Sequence, residues 1–377
     1  MKEFQFHAAR VQQGDLEFYT TSVCVKDALS DGFYNVDHLD AETDKGFQRI
    51  LEKVRAKKIA DYILKNIGTA NGVFIPTAIF AATDQPIEFD EAHSMISFDE
   101  GALPFNIVDG QHRLEGFKLA AEENKKVLDM ELAFSICPEM PFLHQMCHFY
   151  IVNTTQKKVD EAIGQQIIAR LTKEYQVNDT PSLPKWMDNL VKSGTVEKGV
   201  RVATELNENE QSPWKGKIIM ANEPKGEGTI KQATFVKSIE KTFLSQANPV
   251  VHIYKDDFEK QCRVFLNYWI AIYEIIQPED DSVLFKYTGA QIFNRFSIIV
   301  FDKLANQNPP SFKKETFTNL FNSLFENMSG EYAGIHTADW WRSGGVASRV
   351  NAAAHTKIIN EMRSALYPSE SYERIEL

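Results

Sequence analysis

The chain has 377 residues, of which 43% are hydrophobic and 25% are charged, as is typical of a folded globular protein. Its 41 Lys and Arg against 52 Asp and Glu leave a net charge of -11, which argues against a protein that coats nucleic acid non-specifically. A local basic groove remains compatible with this charge. At roughly 150 residues per domain, the length predicts two domains.

Cysteine usage and apolar patterning predict the compartment. The four cysteines are scattered and form no C-x-x-C pair, which fits a reducing environment better than a disulfide framework. The N-terminal residues contain no apolar core of signal-peptide length, and no apolar run approaches the ~20 residues of a membrane span. We therefore expect a cytoplasmic protein that makes no membrane contact.

The first 150 residues or so are predicted to mix strands and helices. The apolar patterns predict strands at 16–25, 73–82, 95–98, 104–108 and 130–136, and helices at 46–66 and 111–124. The helix at 46–66 has an apolar stripe and a strongly basic polar face, made of Arg49, Lys53, Arg55, Lys57, Lys58 and Lys65.

The remainder of the chain is predicted to be helical. Apolar stripes follow Asp160 and recur from Phe258 to Ile276 and from Phe317 to Met328, which is typical of helix-bundle core. The segment 178–228, rich in Gly, Pro, Asn and Glu, predicts a polar insertion or connector. The fold class is therefore α+β, with a mixed α/β domain at 1–158 and a helical domain at 159–377.

Residues 105–116 carry the clearest chemistry. An apolar strand runs into Asp109-Gly110 and a helix begins at once, so that unpaired N–H groups and the helix dipole favour an anion there. Gly110 would admit a ligand close to the backbone, and Arg113 can form two hydrogen bonds with a phosphate. Asp109 could hold a ribose hydroxyl, a metal ion or a water, and His112 could donate to a phosphate or transfer a proton. The same residues equally fit a structural turn, in which Asp109 caps the helix and Arg113 pairs with a carboxylate.

The run Asp109-Gly110-Gln111-His112-Arg113 resembles the signature of the DGQHR-domain family, and the match continues at Leu114 and Gly116. That family includes the DndB-type proteins of bacterial DNA phosphorothioation systems. Residues 46–49, 55–63 and 152–157 are also similar to the family, so the resemblance covers roughly residues 40–170. It implies an N-terminal domain similar to ParB and sulfiredoxin.

The resemblance also implies that a phosphate, from a nucleotide or from DNA, lies at the start of this helix. Asp109 and Arg113 would be the functional pair, and His112 joins them as a candidate catalytic residue. The residues expected to bind the phosphate or nucleotide are Gly110, Gln111, Arg113, Arg49, Asn153, Thr154 and Gln156. Those expected to contact nucleic acid are Arg49, Lys53, Arg55, Lys57 and Lys58. A turn that caps the next helix is the alternative for 153–156, and a solvated helix face is the alternative for the basic residues.

The function that follows is that of a DNA-associated protein of a bacterial DNA-modification or anti-phage system, acting as a regulator. The alternative is a nucleoside-triphosphate hydrolase that uses Mg²⁺ and the same motif, with a nuclease as the weaker form of it. The expected partners are DNA, a nucleotide, other proteins of such a system and a second copy of the chain.

Two further segments contain residue types that can bind a metal ion or stack on a base. Cys137, His144, Cys147 and His148 are close in sequence, but their spacing fits no familiar zinc site, so core packing is favoured and no structural metal is expected. Residues 340–349 contain two adjacent tryptophans and a Gly-rich run. Packing at a domain contact is favoured there, and base stacking by an exposed tryptophan is the alternative.

Overall fold

The structure is a computed structural model that describes residues 3–40, 43, 45–70, 72–156, 160–175, 183–223 and 228–368, with residues 155, 156 and 175 described by their backbone alone. The chain divides into two compact units, Met1–Lys185 and Trp186–Leu377. The sequence prediction placed the boundary between residues 158 and 159. Each unit is described separately below.

The described part of the N-terminal unit contains a mixed sheet of eight strands. The strands are β1 (Glu3–Gln13), β2 (Leu16–Cys24), β3 (Tyr34–Asn35), β4 (Ile79–Ala82), β5 (Glu88–Asp90), β6 (Met95–Asp99), β7 (Phe105–Asp109) and β8 (Glu131–Cys137). Their order in the sheet is β3-β7-β4-β8-β2-β1-β6-β5. Two neighbouring pairs, β3 with β7 and β4 with β8, are parallel, and the others are antiparallel. The predicted mixed α/β architecture is confirmed.

Local sequence explains the central strands. β1 and β2 form a hairpin in which Gly14, with φ of +62°, occupies the tight turn. In β8, Leu132, Phe134 and Ile136 are buried in alternation with more exposed residues, as the period of two requires. The antiparallel partner β2 and the parallel partner β4 flank β8 on either side. The strand with the clearest alternation in the sequence therefore lies inside the sheet.

Five α-helices lie in the described part of the N-terminal unit. They are α1 (Val25–Ala28), α2 (Lys53–Asn66), α3 (Gln111–Glu123), α4 (Phe142–Gln156) and α5 (Glu161–Tyr175). The second and third pack closely, because a Cβ at Gly116 would lie 2.6 Å from Ile59 Cγ2 and 3.2 Å from Ala56 O. Gly116 thus lets α2 lie directly against α3.

The helix predicted from residue 46 begins only at Lys53, and the prediction was wrong for residues 46–52. The amides of Phe47 and Gln48 donate to Asp37 O at 3.0 and 2.9 Å, and Leu39 N–H donates to Gln48 O at 2.7 Å. These bonds to a distant segment replace the local helical bonds, which a sequence pattern cannot reveal. The strand predicted at 73–82 likewise shortens to β4, and β1 was not predicted.

The C-terminal unit is helical, as predicted. Its helices are α6 (Lys185–Ser193), α7 (Thr195–Glu208), α8 (Gln232–Glu240), α9 (Pro249–Ile253), α10 (Phe258–Ile276), α11 (Tyr287–Ala305), α12 (Lys314–Asn327), α13 (Ala338–Trp341) and α14 (Ala352–Leu366). A short parallel pair, β9 (Ile218–Ile219) and β10 (Ile230–Lys231), accompanies them. Residues 178–228 were expected to form a polar insertion, but within their described part α6 and α7 contribute buried apolar residues. Among the described residues, no helix is long and apolar enough to cross a membrane.

Aromatic side chains dominate the core of this second unit. The ring centroids of Trp214 and Trp269 are 4.9 Å apart, at an edge-to-face angle of 86°. Trp340 and Trp341 are both buried, and the Nε1–H of Trp341 donates to Ile335 O at 2.7 Å. Base stacking by an exposed tryptophan at this position is therefore excluded, and the two rings serve packing.

Candidate functional site

The junction between β7 and α3 contains the five residues singled out in the sequence, 109–113, which we call the signature turn. Gly110 has φ of +118°, a backbone conformation that other residues rarely adopt. A Cβ at this position would also lie 2.7 Å from Ile79 Cδ1. The first helical hydrogen bonds run from the amides of Arg113 and Leu114 to Gly110 O, at 2.9 and 3.1 Å. Glycine is thus required by both backbone conformation and space.

Asp109 and Arg113 form an ion pair across this turn. Arg113 Nη2 donates to Asp109 Oδ2 at 2.8 Å, and their side chains are 16% and 33% exposed, respectively. Asp109 does not cap α3, since the cap position is Gly110 and has no side-chain hydrogen bond. A phosphate that approached Arg113 would therefore compete with a carboxylate already in contact. Arg113 Nε is buried and has no hydrogen-bond partner among the described residues.

A strap of extended chain, residues 46–52, lies against the signature turn. Phe47 is buried between Phe142 and Phe149 of α4, with both centroid distances 5.4 Å. Arg170 of α5 donates from Nη1 to Gly46 O at 3.0 Å. Elements of the sheet, of α4 and of α5 therefore hold the strap in place.

Two buried glutamines join the strap to the signature turn. Gln48 Nε2 donates to the carbonyl oxygens of Ile107 and Val108 in β7, the second at 2.9 Å. Gln111 Nε2 donates to Gln48 Oε1 and to Arg49 O, each at 3.2 Å. Gln111 Oε1 is buried and has no hydrogen-bond partner among the described residues. The amide of Gln111 therefore binds the strap in this arrangement.

His112 continues the same contact toward α2. Its Nε2 accepts from the backbone N–H of Glu52, the N-cap residue of α2, at 3.1 Å. Burial lowers the pKa of His112 to about 4, and the nearby positive charges of Arg49 and Arg55 act in the same direction. His112 is thus neutral at pH 7, with Nε2 as an acceptor, and it fixes the start of α2.

The cations predicted to contact nucleic acid lie on the strap and on α2. Arg49 is partly exposed, with its Nη1 3.9 Å from Glu52 Oε1. Lys53 and Lys57 line a groove of about 470 Å³ together with the α3 carboxylates of Glu115, Glu122 and Glu123. The positive charge of these two lysines therefore faces negative charge on the neighbouring helix.

Arg55 and Lys58 project from a different side of α2. Consecutive residues of an α-helix are rotated by roughly 100°, so Lys58 points well away from its neighbour Lys57. Both Arg55 and Lys58 are exposed, and Lys65 shares their side of the helix. The exposed flank, as we call Val54, Arg55, Lys58, Tyr62 and Lys65, combines cations with apolar side chains.

The predicted third segment of the site is helical and not a turn. Asn153 Nδ2 donates to Phe149 O at 2.8 Å, and Thr154 Oγ1 donates to Tyr150 O at 2.6 Å, both bonds lying within α4. These donors bind the helix's own carbonyls instead of capping the next helix. The side chain of Gln156 lies outside the described residues.

Sequence reasoning assigned no role to Gln48, which the structure places at the centre of the buried network. The signal was present, since a single Gln stands between Phe47 and Arg49 in a segment already singled out. Its function depends on the carbonyls of Ile107 and Val108, some 60 residues later in the chain. No local pattern reports a contact of that range.

The cysteines and histidines of 137–148 belong to the interior of the unit. Cys137 and Cys147 are buried, and burial raises the pKa of each thiol to about 12. Burial also lowers the pKa of His144 and His148, and the His148 ring packs edge-on against Phe80 at 6.2 Å. Within the described residues, no group of three His, Cys, Asp or Glu side chains is arranged to hold a metal ion.

Part of the chain matches a known protein family. A family model described as DndB, DNA-sulfur modification-associated, matches residues 6–179. The match includes the strap, α2 and the signature turn. No curated protein and no solved structure matches the chain.

Proposed function

Residues 6–179 of this chain match the family described as DndB, DNA-sulfur modification-associated, and on the basis of this match we propose that the protein binds DNA as a non-catalytic regulatory subunit of a DNA-sulfur modification system. The signature turn supports the DNA-binding surface from inside the fold. Arg49 on the strap, together with Arg55 and Lys58 on the exposed flank, contacts DNA phosphates.

The observation that carries the proposal is a local excess of cations on a surface that the signature turn holds in place. Residues 45–66 contain seven Lys and Arg against two Asp and Glu, in a chain with a net charge of -11. Gln111 binds the strap beside Arg49, and His112 binds the N-cap residue of α2. A cationic surface of fixed geometry inside an acidic protein confines phosphate contacts to one place.

The arrangement favours binding over hydrolysis. Arg113 is paired with Asp109, and His112 is neutral and engaged with Glu52 N–H. Neither side chain is arranged to stabilise a transferred phosphoryl group, which requires donors directed at the developing charge. The residues of the signature turn support the surface and do not themselves need to contact the ligand.

A nucleoside-triphosphate hydrolase is the second candidate, and one observation favours it. Gln111 Oε1 and Arg113 Nε, both at the start of α3, are buried polar atoms with no hydrogen-bond partner among the described residues. Buried polar atoms of this kind call for an explanation, and a ligand that displaces Asp109 from Arg113 would supply one. In that case Asp109 would be the residue to hold Mg²⁺ or the attacking water.

Salt-dependent binding to a DNA duplex, measured by fluorescence anisotropy, tests the proposal. Each lost phosphate contact should reduce the slope of log affinity against log salt concentration by about 1. We expect this reduction for Arg49→Ala and for Lys58→Ala. Lys57→Ala is the matched control. It removes the same charge from the residue directly before Lys58, and Lys57 lies beside the α3 carboxylates. Its slope should stay close to that of the wild type.

Two outcomes would contradict the proposal. Equal losses from Lys57→Ala and Lys58→Ala would show that total charge, and not the exposed flank, governs binding. Release of phosphate from ATP, GTP or CTP that disappears in a folded Asp109→Ala variant would establish the hydrolase instead.

A further inference from the structure

Large apolar side chains are exposed around α2, where burial is the usual arrangement for residues of this size. They are Ile50, Val54, Tyr62 and Phe74. Val54, Lys58 and Tyr62 are spaced four residues apart, so they follow one line along the helix. An apolar, a cationic and an aromatic side chain thus succeed one another on the solvent side of α2.

Phe74 is held outward by its neighbours. Val73 and Ile75 pack against the core, and the alternation of an extended chain places Phe74 on the opposite side, where it is 73% exposed. Its backbone N–H donates to the Tyr62 hydroxyl at 3.0 Å, and that hydroxyl can in turn donate to Phe74 O at 3.4 Å. The backbone that carries this exposed ring is therefore anchored beside Tyr62.

Charge and composition identify what this surface binds. Aromatic rings between cations are the arrangement by which proteins hold unpaired nucleic-acid strands, because each base can stack on a ring while the phosphates meet the cations. Stacking of this kind requires bases whose faces are free, which a duplex does not offer. Protein-protein interfaces are depleted in lysine, whereas Lys58 and Lys65 lie within this surface.

We propose that Tyr62 and Phe74 stack on bases of an unpaired DNA strand, while Arg55, Lys58 and Lys65 contact its phosphates. The inference rests on the proposed DNA-binding function and adds the form of DNA that is preferred. With its 14 residues, α2 spans roughly 21 Å, which gives the strand a surface several nucleotides long.

Binding of Phe74→Ala to a short single strand of thymidines and to a duplex, compared by fluorescence anisotropy, tests the inference. Loss of one stacked base should weaken single-strand binding about tenfold and leave duplex binding unchanged. Phe74→Tyr should restore the single-strand affinity. Val346→Ala is the control, because Val346 is an apolar side chain that is 50% exposed and lies outside the exposed flank, and it should change affinity by less than about twofold. Circular dichroism and thermal unfolding of each variant confirm that the fold is retained.

The outcomes separate the two proposals. If Phe74→Ala weakens both forms of DNA equally, or neither, stacking is overturned while the DNA-binding function stands. If the wild type binds neither form, the proposed function itself fails. If polyglutamate binds with the same dependence on Phe74, the surface docks an acidic protein segment and the inference is overturned.

Discussion

The signature turn and the exposed flank of α2 are both rich in polar residues, yet they differ in where those residues direct their hydrogen bonds. Gln111 and His112 are each only 6% exposed, and their side chains bind the strap and the start of α2. Arg55 and Lys58 are exposed to solvent. The polar groups of the turn act within the protein, and those of the flank are free to act on a ligand.

This difference indicates that a motif with the chemistry of a ligand site can instead support the surface that binds the ligand. Substitutions of the buried residues of the turn, Gly110, Gln111 and His112, should reduce stability first and DNA affinity only as a consequence. Substitutions on the flank should reduce DNA affinity and leave stability unchanged.

Gly110→Ala should be the most damaging change at the turn. The new Cβ would meet Ile79 Cδ1 at 2.7 Å, and alanine would have to adopt φ of +118°. Strain and overpacking together should lower the free energy of unfolding by about 3 kcal/mol. Thermal and urea unfolding of the purified protein measure the loss.

Gly68→Ala is the matched control for this change. Gly68 also has positive φ, of +76°, but a Cβ there would meet nothing within 4 Å. It should lower the free energy of unfolding by only about 1 kcal/mol. Similar losses from the two variants would show that the contact with Ile79 is not important.

Gln48→Met tests the buried network without removing a charge. It withdraws the donor to the carbonyls of Ile107 and Val108, which should lower the free energy of unfolding by about 2 kcal/mol. DNA affinity should also fall, because Arg49 loses its fixed position. Unfolding and anisotropy measurements on the same preparation check both effects, and the exposed Gln85→Met serves as control.

A stability loss with unchanged DNA affinity would show that the network supports the fold but does not position Arg49. A loss of affinity in the exposed control would mean that the assay responds to changes far from the surface. If the buried network positions Arg49, stability and DNA affinity should both fall in Gln48→Met, and neither should fall in Gln85→Met.

Much of the fold could be predicted from sequence, because the elements concerned are determined by local patterns. The alternation in β8 and the apolar stripes of α10 and α12 each report the environment of their own residues. The strap could not be predicted, because Phe47 and Gln48 satisfy their amides at Asp37 instead of within a helix. The apolar spacing of the strap also fits a helix, because Phe47 is buried in either arrangement.

One part of the predicted site is brought together in the structure, whereas the ligand-binding roles of its residues stay predictions. Arg49 and the signature turn do come together, as the resemblance implied. Asp109 does not cap the helix, and it pairs with Arg113 because four residues of helix bring their side chains into contact. Gly116 was noted only as part of a match, and its role becomes visible once α2 lies against it.

As the pH falls, the signature turn should lose stability before the exposed flank of α2 is affected. Because the pKa of His112 is lowered to about 4 from an ordinary value near 6.5, folding favours its neutral form. Its contribution to stability is fully present above about pH 6.5 and is lost as the pH falls toward 4. The melting temperature should therefore fall over this range, and less steeply in His112→Gln.

The control for this prediction is His7→Gln, which removes an exposed imidazole from the same unit. Burial also lowers the pKa of His144 and His148, so His112→Gln should remove part of the pH dependence and not all of it. A wild-type pH profile in His112→Gln would show that the imidazole does not carry the acid sensitivity of the turn.

The smallest effect is expected for Asp109→Asn. The substitution keeps the shape and the acceptor oxygen facing Arg113 Nη2, but it removes the negative charge. A partly exposed pair of this kind contributes about 0.5 kcal/mol, so the free energy of unfolding should change little. Anisotropy should show DNA affinity within about twofold of the wild type.

The competing interpretations predict different results for Asp109→Asn, so that even a small effect distinguishes between them. If DNA phosphate binds Arg113, removal of the competing carboxylate frees the guanidinium, and affinity should rise by an order of magnitude or more. If Asp109 holds a metal ion for hydrolysis, nucleotide turnover should disappear while DNA affinity is retained. Only a signature turn that supports the surface from inside leaves both DNA affinity and stability almost unchanged, because Asp109 then meets no ligand.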